Sequence, residues 1–158
     1  YLQNRDISKF NPAQLPRSPA LVEQKIRSLT GVAKWLHNKL WICDAEETGK
    51  ICHETWLSGS DDWRTLWPRK ATSGHLFAQY RNFKKDDRYV HGPSGEAQFA
   101  KELKQILHSM TAKRESSGKR QRYNALPPLD EARRQFEEYL NCDDQHAIWG
   151  EDPEADAA

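Results

Sequence analysis

The stretch "EAQFAKELKQILHSMTAKRESSGKRQRYN", Glu96 to Asn124, decides how the chain is read. In its first half Phe99, Ala100, Leu103, Ile106, Leu107 and Met110 fall at i, i+1, i+4, i+7, i+8 and i+11. That is the apolar stripe of a helix buried on one side. The opposite face shows Gln98, Lys101, Lys104, Gln105 and His108. From Thr111 onward five basic side chains and one acid surround Ser116-Ser117-Gly118, which predicts a strand at 111–115, a turn, and a strand at 119–125. A ribbon polar on both faces has no core to enter, so it projects. Tyr123 and Leu126 then return the chain to the apolar interior.

Working outward, Leu76, Phe77, Tyr80 and Phe83 give one apolar face to a helix of roughly 73–85. The loop "DDRYVHGPSG" ends it at Gly92-Pro93, and Ser94 is placed to cap the helix that follows. Pro127-Pro128 introduces a last helix with Leu129, Ala132, Phe136, Tyr139 and Leu140 inward. Helix, helix, basic hairpin, helix is the order of a winged helix, expected over 73–149. The fold class expected is mainly α with a small β component: a helix-turn-helix plus a basic β-hairpin wing, preceded by a helical segment.

That segment occupies residues 1–58. Ser18-Pro19 supplies a helix start, a side-chain cap followed by proline at the first helical position. Val22, Ile26, Leu29, Ala33, Leu36 and Leu40 continue at helical spacing, interrupted at Thr30-Gly31 so that one helix or two fit equally. "WICDAEETGKICHETW", from Trp41, predicts a β-hairpin at 41–53, with Trp41, Ile42 and Cys43 facing Ile51, Cys52 and His53. Residues 59–72 read as a linker, and "GEDPEADAA", 150–158, as an acidic disordered tail.

A chain of 158 residues suits one domain plus an appendage, and a hydrophobic content of 37% suffices for a modest core. No apolar run nears the roughly 20 residues that span a bilayer, and no signal-peptide pattern opens the sequence, so no membrane association and a cytoplasmic location are expected. A start at Tyr1 without Met suggests a piece of a longer protein. The net charge of +1 hides a strong polarity. Residues 1–58 carry a net +2, residues 59–123 carry 14 Lys/Arg against 7 Asp/Glu, and residues 124–158 carry 2 against 10. A basic middle beside an acidic end steers polyanions to one face.

Catalysis finds no support. No G-x-x-x-x-G-K-[ST], no G-x-G-x-x-G after a strand and no nucleophile elbow occurs. Asp61-Asp62, Asp86-Asp87 and Asp143-Asp144 are adjacent pairs, whose side chains diverge instead of converging on one atom. No catalytic residue is assigned, and the chain is not expected to be an enzyme on its own. Cys43, Cys52 and His53, with His37 upstream, are soft ligands, but C-x8-C-H lacks the short pairs that structural zinc sites use. No metal site is expected. Nucleic-acid binding has more behind it. Gln98, Lys101, Lys104 and Gln105 would approach a groove, where amides read base edges and lysines meet phosphates. Lys113, Arg114, Lys119, Arg120 and Arg122 would hold the backbone, and Lys84 and Lys85, with Arg81 and Arg88, would extend the basic track.

"RDISKFNPAQLPRSPALVEQKIRSLTGVAKWLHNKL", Arg5 to Leu40, resembles the segment after the ATPase core in phage- and plasmid-type primase–helicases of superfamily three. The matching residues are Arg5, Asp6, Phe10, Asn11, Pro12, Ala20, Leu21, Gln24, Lys25, Leu29, Trp35 and Leu36. "LFAQYRNF", "QFAKELKQIL", the Arg/Gly wing and "LPPLDEARRQFEEYL" are similar to the winged-helix domain that follows in that family. The resemblance implies the C-terminal DNA-binding domain of a replicative helicase, acting on double- or single-stranded DNA in a bacterial host cell. Its partners would be the ATPase core of the same polypeptide and, through the parent ring, further copies. ATP and magnesium would bind that missing core, so no cofactor is expected here. The pattern at Cys43 and Cys52 has no counterpart in the family. An alternative is a protein-interaction or oligomerisation module of the replication complex, using the winged helix and the N-terminal helix.

Overall fold

The apolar stripe of residues 19–42 folds as two helices because the chain turns sharply between them. In the computed structural model, which describes residues 19–47, 49, 51–52, 66–86, 92–116, 121–142 and 148–149, α1 spans Pro19–Ser28 and α2 spans Gly31–Ile42. Gly31 adopts φ +58°, the left-handed region that a side chain resists, and this lets α2 start at an angle to α1. The two short strands β1 (Ala45–Glu47) and β2 (Leu66–Pro68) pair in parallel, with Ala45 opposite Leu66. They are followed by β3 (Lys70–Ala71), α3 (Ser73–Asp86), α4 (Glu96–Ile106), β4 (Thr111–Arg114), β5 (Arg122–Ala125) and α5 (Leu129–Leu140). The chain is therefore mainly helical with a small sheet component.

The second sheet has the order β3-β5-β4. β5 lies antiparallel to both neighbours, pairing Ala71 with Asn124 on one side and Ala112 with Asn124 on the other. The strand that precedes α3 thus returns to the ribbon that follows α4, which fixes both helices against the sheet. Leu126 N–H donates to Arg69 C=O at 3.0 Å and the buried Trp67 indole donates to Pro127 C=O at 2.8 Å, closing the junction between β2, β3 and β5.

One core joins all five helices. Trp35 of α2 meets the Phe99 ring of α4 edge-on at 5.4 Å, and Tyr80 of α3 lies 5.1 Å from Phe99. Leu36, Leu40, Leu103, Leu107 and Phe136 are fully buried around this cluster. Such aromatic pairs add roughly 0.5–1.5 kcal/mol each beyond their area burial. Residues on both sides of the expected 59–72 linker share this core, and residues 66–71 within it form β2 and β3.

Two local expectations are corrected. The hairpin at 41–53 does not form among the described residues: Trp41 and Ile42 finish α2, with Cys43 N–H donating to Lys39 C=O at 3.1 Å. A short apolar run satisfies either period, and here the helix carries on because its C-terminal carbonyls find a partner in Arg133. Instead of facing Cys43, Cys52 pairs with β3, its N–H donating to Lys70 C=O at 2.9 Å. Ser94 does not cap α4; Gly95 holds that position in extended conformation, without a side-chain cap. Among the described residues β5 begins at Arg122, and the Glu115 N–H donates to Gln121 C=O at 2.9 Å just beyond it. Ser18, the lead-in 1–18, His53, Lys119, Arg120 and the tail 150–158 lie outside the described residues.

Candidate nucleic-acid interface

α4 presents the face its sequence pattern requires. Phe99, Leu103 and Ile106 are buried, whereas Gln98, Lys101, Lys104, Gln105 and His108 are exposed. Gln98 donates to Glu102 one turn on at 3.1 Å, and His108 Nε2 lies 3.2 Å from the Glu138 carboxylate of α5. His108 is thereby tied to the acidic helix, which leaves Lys101 and Lys104 as the unpaired cations of this face among the described residues.

The ribbon carries the other half of the surface. All four residues of β4 are exposed, and the cross-strand register sets Lys113 opposite Tyr123 and Arg114 opposite Arg122. Like charges directly opposite each other weaken a strand pair. Among the described residues none of Lys113, Arg114 and Arg122 forms an ion pair. Lys70, which sequence reading placed in the linker, sits with Nζ 5.8 Å from the Tyr123 ring centre and so adds a cation beside the ribbon. No local signal could have found it, since its position depends on β3 pairing with β5 across more than fifty residues of chain.

Lys84 and Lys85 end α3. Lys84 donates to Gly92 C=O at 3.4 Å and Lys85 is exposed, so both stand in the last turn, where a cation opposes the negative end of the helix. A helix-stabilising role is therefore built in for these two, whatever else they touch. α5 is the contrasting surface: Arg134 is engaged by Glu131 at 2.6 Å and Glu138 at 3.0 Å. The hydrogen bond from Arg134, joined by one from Gln135, holds the Glu131 carboxyl below the usual range.

The thiols and histidines do not converge on an ion among the described residues. Cys43, Cys52 and Cys142 are buried and form no disulfide. His37 lies in an aromatic cluster, stacked 5.6 Å from Trp149 and tilted against Phe136 at 5.7 Å, and burial lowers its pKa. Cys52 instead donates to the Glu47 carboxylate at 3.3 Å. Among the described residues no helix is long and apolar enough to cross a membrane. No protein-family model, curated protein or solved structure matches the chain.

Proposed function

We propose that the chain is a winged-helix domain that binds DNA through α4 and the β4–β5 ribbon, as the C-terminal module of a phage-type replicative helicase. The observation that carries the reading is Arg114 facing Arg122 across an exposed ribbon without an acidic partner among the described residues. A ribbon selected for stability alone would gain from an acid at either position. A polyanion placed against the ribbon removes the repulsion and releases its own counterions. The order β3, α3, α4, β4, β5 with strand order β3-β5-β4 supports the winged-helix reading, because α4 is followed directly by the ribbon and β3 closes its sheet. In that reading Gln98, Lys101, Lys104 and Gln105 approach a groove. Lys113, Arg114 and Arg122 hold the adjacent backbone, as do Lys119 and Arg120, which lie outside the described residues. The replicative-helicase context rests on the family resemblance alone.

Titration of labelled duplex and single-stranded DNA by anisotropy at several salt concentrations tests this. Four phosphate contacts predict an affinity loss of about 20- to 50-fold for each threefold rise in salt. Undetectable binding at low salt, or binding indifferent to salt, sinks the reading. A second reading, a protein-interaction or oligomerisation module, is favoured by one observation. Trp41 and Ile42 stand side by side at the end of α2, exposed at 52% and 42%. Trp41→Ala and Ile42→Ser would then change the sedimentation of the protein without changing DNA affinity.

A further inference from the structure

Beside the α4 face a groove of about 550 Å³ opens between the start of α2, α4 and α5, lined among others by Thr30, Gly31, Glu102, Gln105 and Tyr139. That volume lies in the range of small-ligand sites, roughly 300–1,000 Å³. Gln105 belongs both to this groove and to the exposed face of α4, so the two surfaces are continuous. Tyr139 is an aromatic side chain left 50% exposed at the groove's edge. Glu102 supplies an acceptor and the Gln105 amide a donor and an acceptor. Gly92 and Gly31 meet closely at one side of the groove, where a Cβ at Gly92 would collide with the Tyr80 hydroxyl and come within 2.7 Å of Gly31 Cα. The Tyr80 hydroxyl beneath Gly92 is fully buried, outside the groove itself.

We propose that this groove takes one unpaired nucleobase, stacked on Tyr139 and hydrogen-bonded along its edge by Glu102 and Gln105. The preferred ligand is then DNA with an unpaired nucleotide beside a duplex. The inference rests on the nucleic-acid reading of α4 and sharpens it. Charge decides the orientation. A phosphate entering the groove would meet the Glu102 carboxylate, whereas Lys101 and Lys104 lie on the exposed side of the same helix. The backbone therefore follows the lysines and the base turns inward. An exocyclic amino group donates to a carboxylate, so adenine, cytosine and guanine fit Glu102 better than thymine, which offers no amino group.

The test uses the full chain and three labelled DNAs of one sequence: a blunt duplex, the duplex with a short overhang, and the single strand. The expected result is tighter binding of the overhang than of the blunt duplex, by roughly 5- to 150-fold, the range that base–aromatic stacking gives. Tyr139→Ala and Glu102→Gln should each erase most of that gain while leaving blunt-duplex affinity and the melting temperature unchanged. Equal affinity of the native protein for blunt and overhang DNA overturns the inference and leaves the reading of α4 standing. A gain that survives Tyr139→Ala also overturns it. Failure to bind any of the three DNAs removes the parent reading and this one together.

Discussion

The guanidinium of Arg133 on α5 closes the C-terminal end of α2, donating to the Leu40 carbonyl at 3.0 Å and to the Cys43 carbonyl at 2.8 Å. The same group lies 5.6 Å from the centre of the Trp149 ring. One side chain thus satisfies carbonyls that the helix leaves without intrahelical donors and clamps the last segment of the core onto α2. Hydrogen bonds from a charged donor contribute roughly 1.5–3 kcal/mol, so Arg133→Ala should cost about that much in a urea titration. Arg133→Lys should recover only part of it, because an ammonium cannot fork between two carbonyls in the plane that the guanidinium provides. A loss under 0.5 kcal/mol would show that water replaces the cap.

Phe99 is the residue on which α2, α3 and α4 converge. It is 1% exposed and packs against Trp35 at 5.4 Å, Tyr80 at 5.1 Å and Phe77 at 5.6 Å. Truncating a buried Phe to Ala costs about 3–5 kcal/mol, a large share of the roughly 5–15 kcal/mol that holds a domain together. Phe99→Ala should therefore lower the melting temperature steeply and abolish DNA binding along with the fold. Phe99→Leu should keep both, at a smaller cost.

Glu46 contributes to stability in a pH-dependent way. Its carboxylate accepts the backbone N–H of Leu129, capping α5, and receives Arg69 Nη1 at 2.9 Å. Burial alone would raise its pKa, but the Leu129 amide and Arg69 together hold it below the ordinary value of 4.5. A carboxylate with a lowered folded pKa stabilises above its unfolded value and loses that contribution as pH falls through the folded one. This contribution should thus be lost as the pH falls below the ordinary value of 4.5. Glu46→Gln should flatten this part of the profile, and Glu46→Ala should cost about 1 kcal/mol even at neutral pH through the lost cap. Chemical denaturation at a series of pH values reads both effects.

α3, α4 and α5 were legible because each carries an uninterrupted apolar stripe of three turns or more. The ribbon was legible because no apolar face competes with its polar pattern. β1, β2 and β3 were not, since strands of two or three residues contain too little alternation to register. Their pairing rests on contacts such as Cys52 with Ala71 and Lys70 with Ala125. Trp41 and Ile42 misled for a related reason: their exposure at the end of a helix contradicts their composition, and only Arg133, some ninety residues on, explains why the helix reaches them. At the proposed interface the cations of α4 and the ribbon could be read individually. The pairing of His108 with Glu138, and the groove behind Gln105, depend on where α5 docks and leave no trace in local spacing.

The three cysteines should behave as core residues. Cys43, Cys52 and Cys142 are exposed by only 1%, 5% and 5%. Burial pushes the Cys43 thiol up despite the opposing Lys39 ammonium. Since the thiolate is the reactive form, a disulfide reagent added to the native protein should consume no thiol on the timescale of minutes, and all three after denaturation. Rapid modification at Cys43 in the native state would show that α2 opens at its C-terminal end.

Arg114 and Arg122 offer a way to separate stability from binding. Arg122→Glu converts a repulsive cross-strand pair into an attractive one, worth roughly 0.2–1 kcal/mol and nearer the lower figure at so exposed a site. The variant should therefore melt at the same temperature or slightly above. Its DNA affinity should fall, and the slope of log K against log salt should shrink by about one to two contacts, as expected when a phosphate partner is lost and a repulsion gained. Arg114→Glu should mirror it, and the double variant should lose the stability gain because two acids then face each other. A single variant that melts lower would mean that the arginines hold the ribbon together by stacking. One that binds DNA unchanged would move the interface off the ribbon.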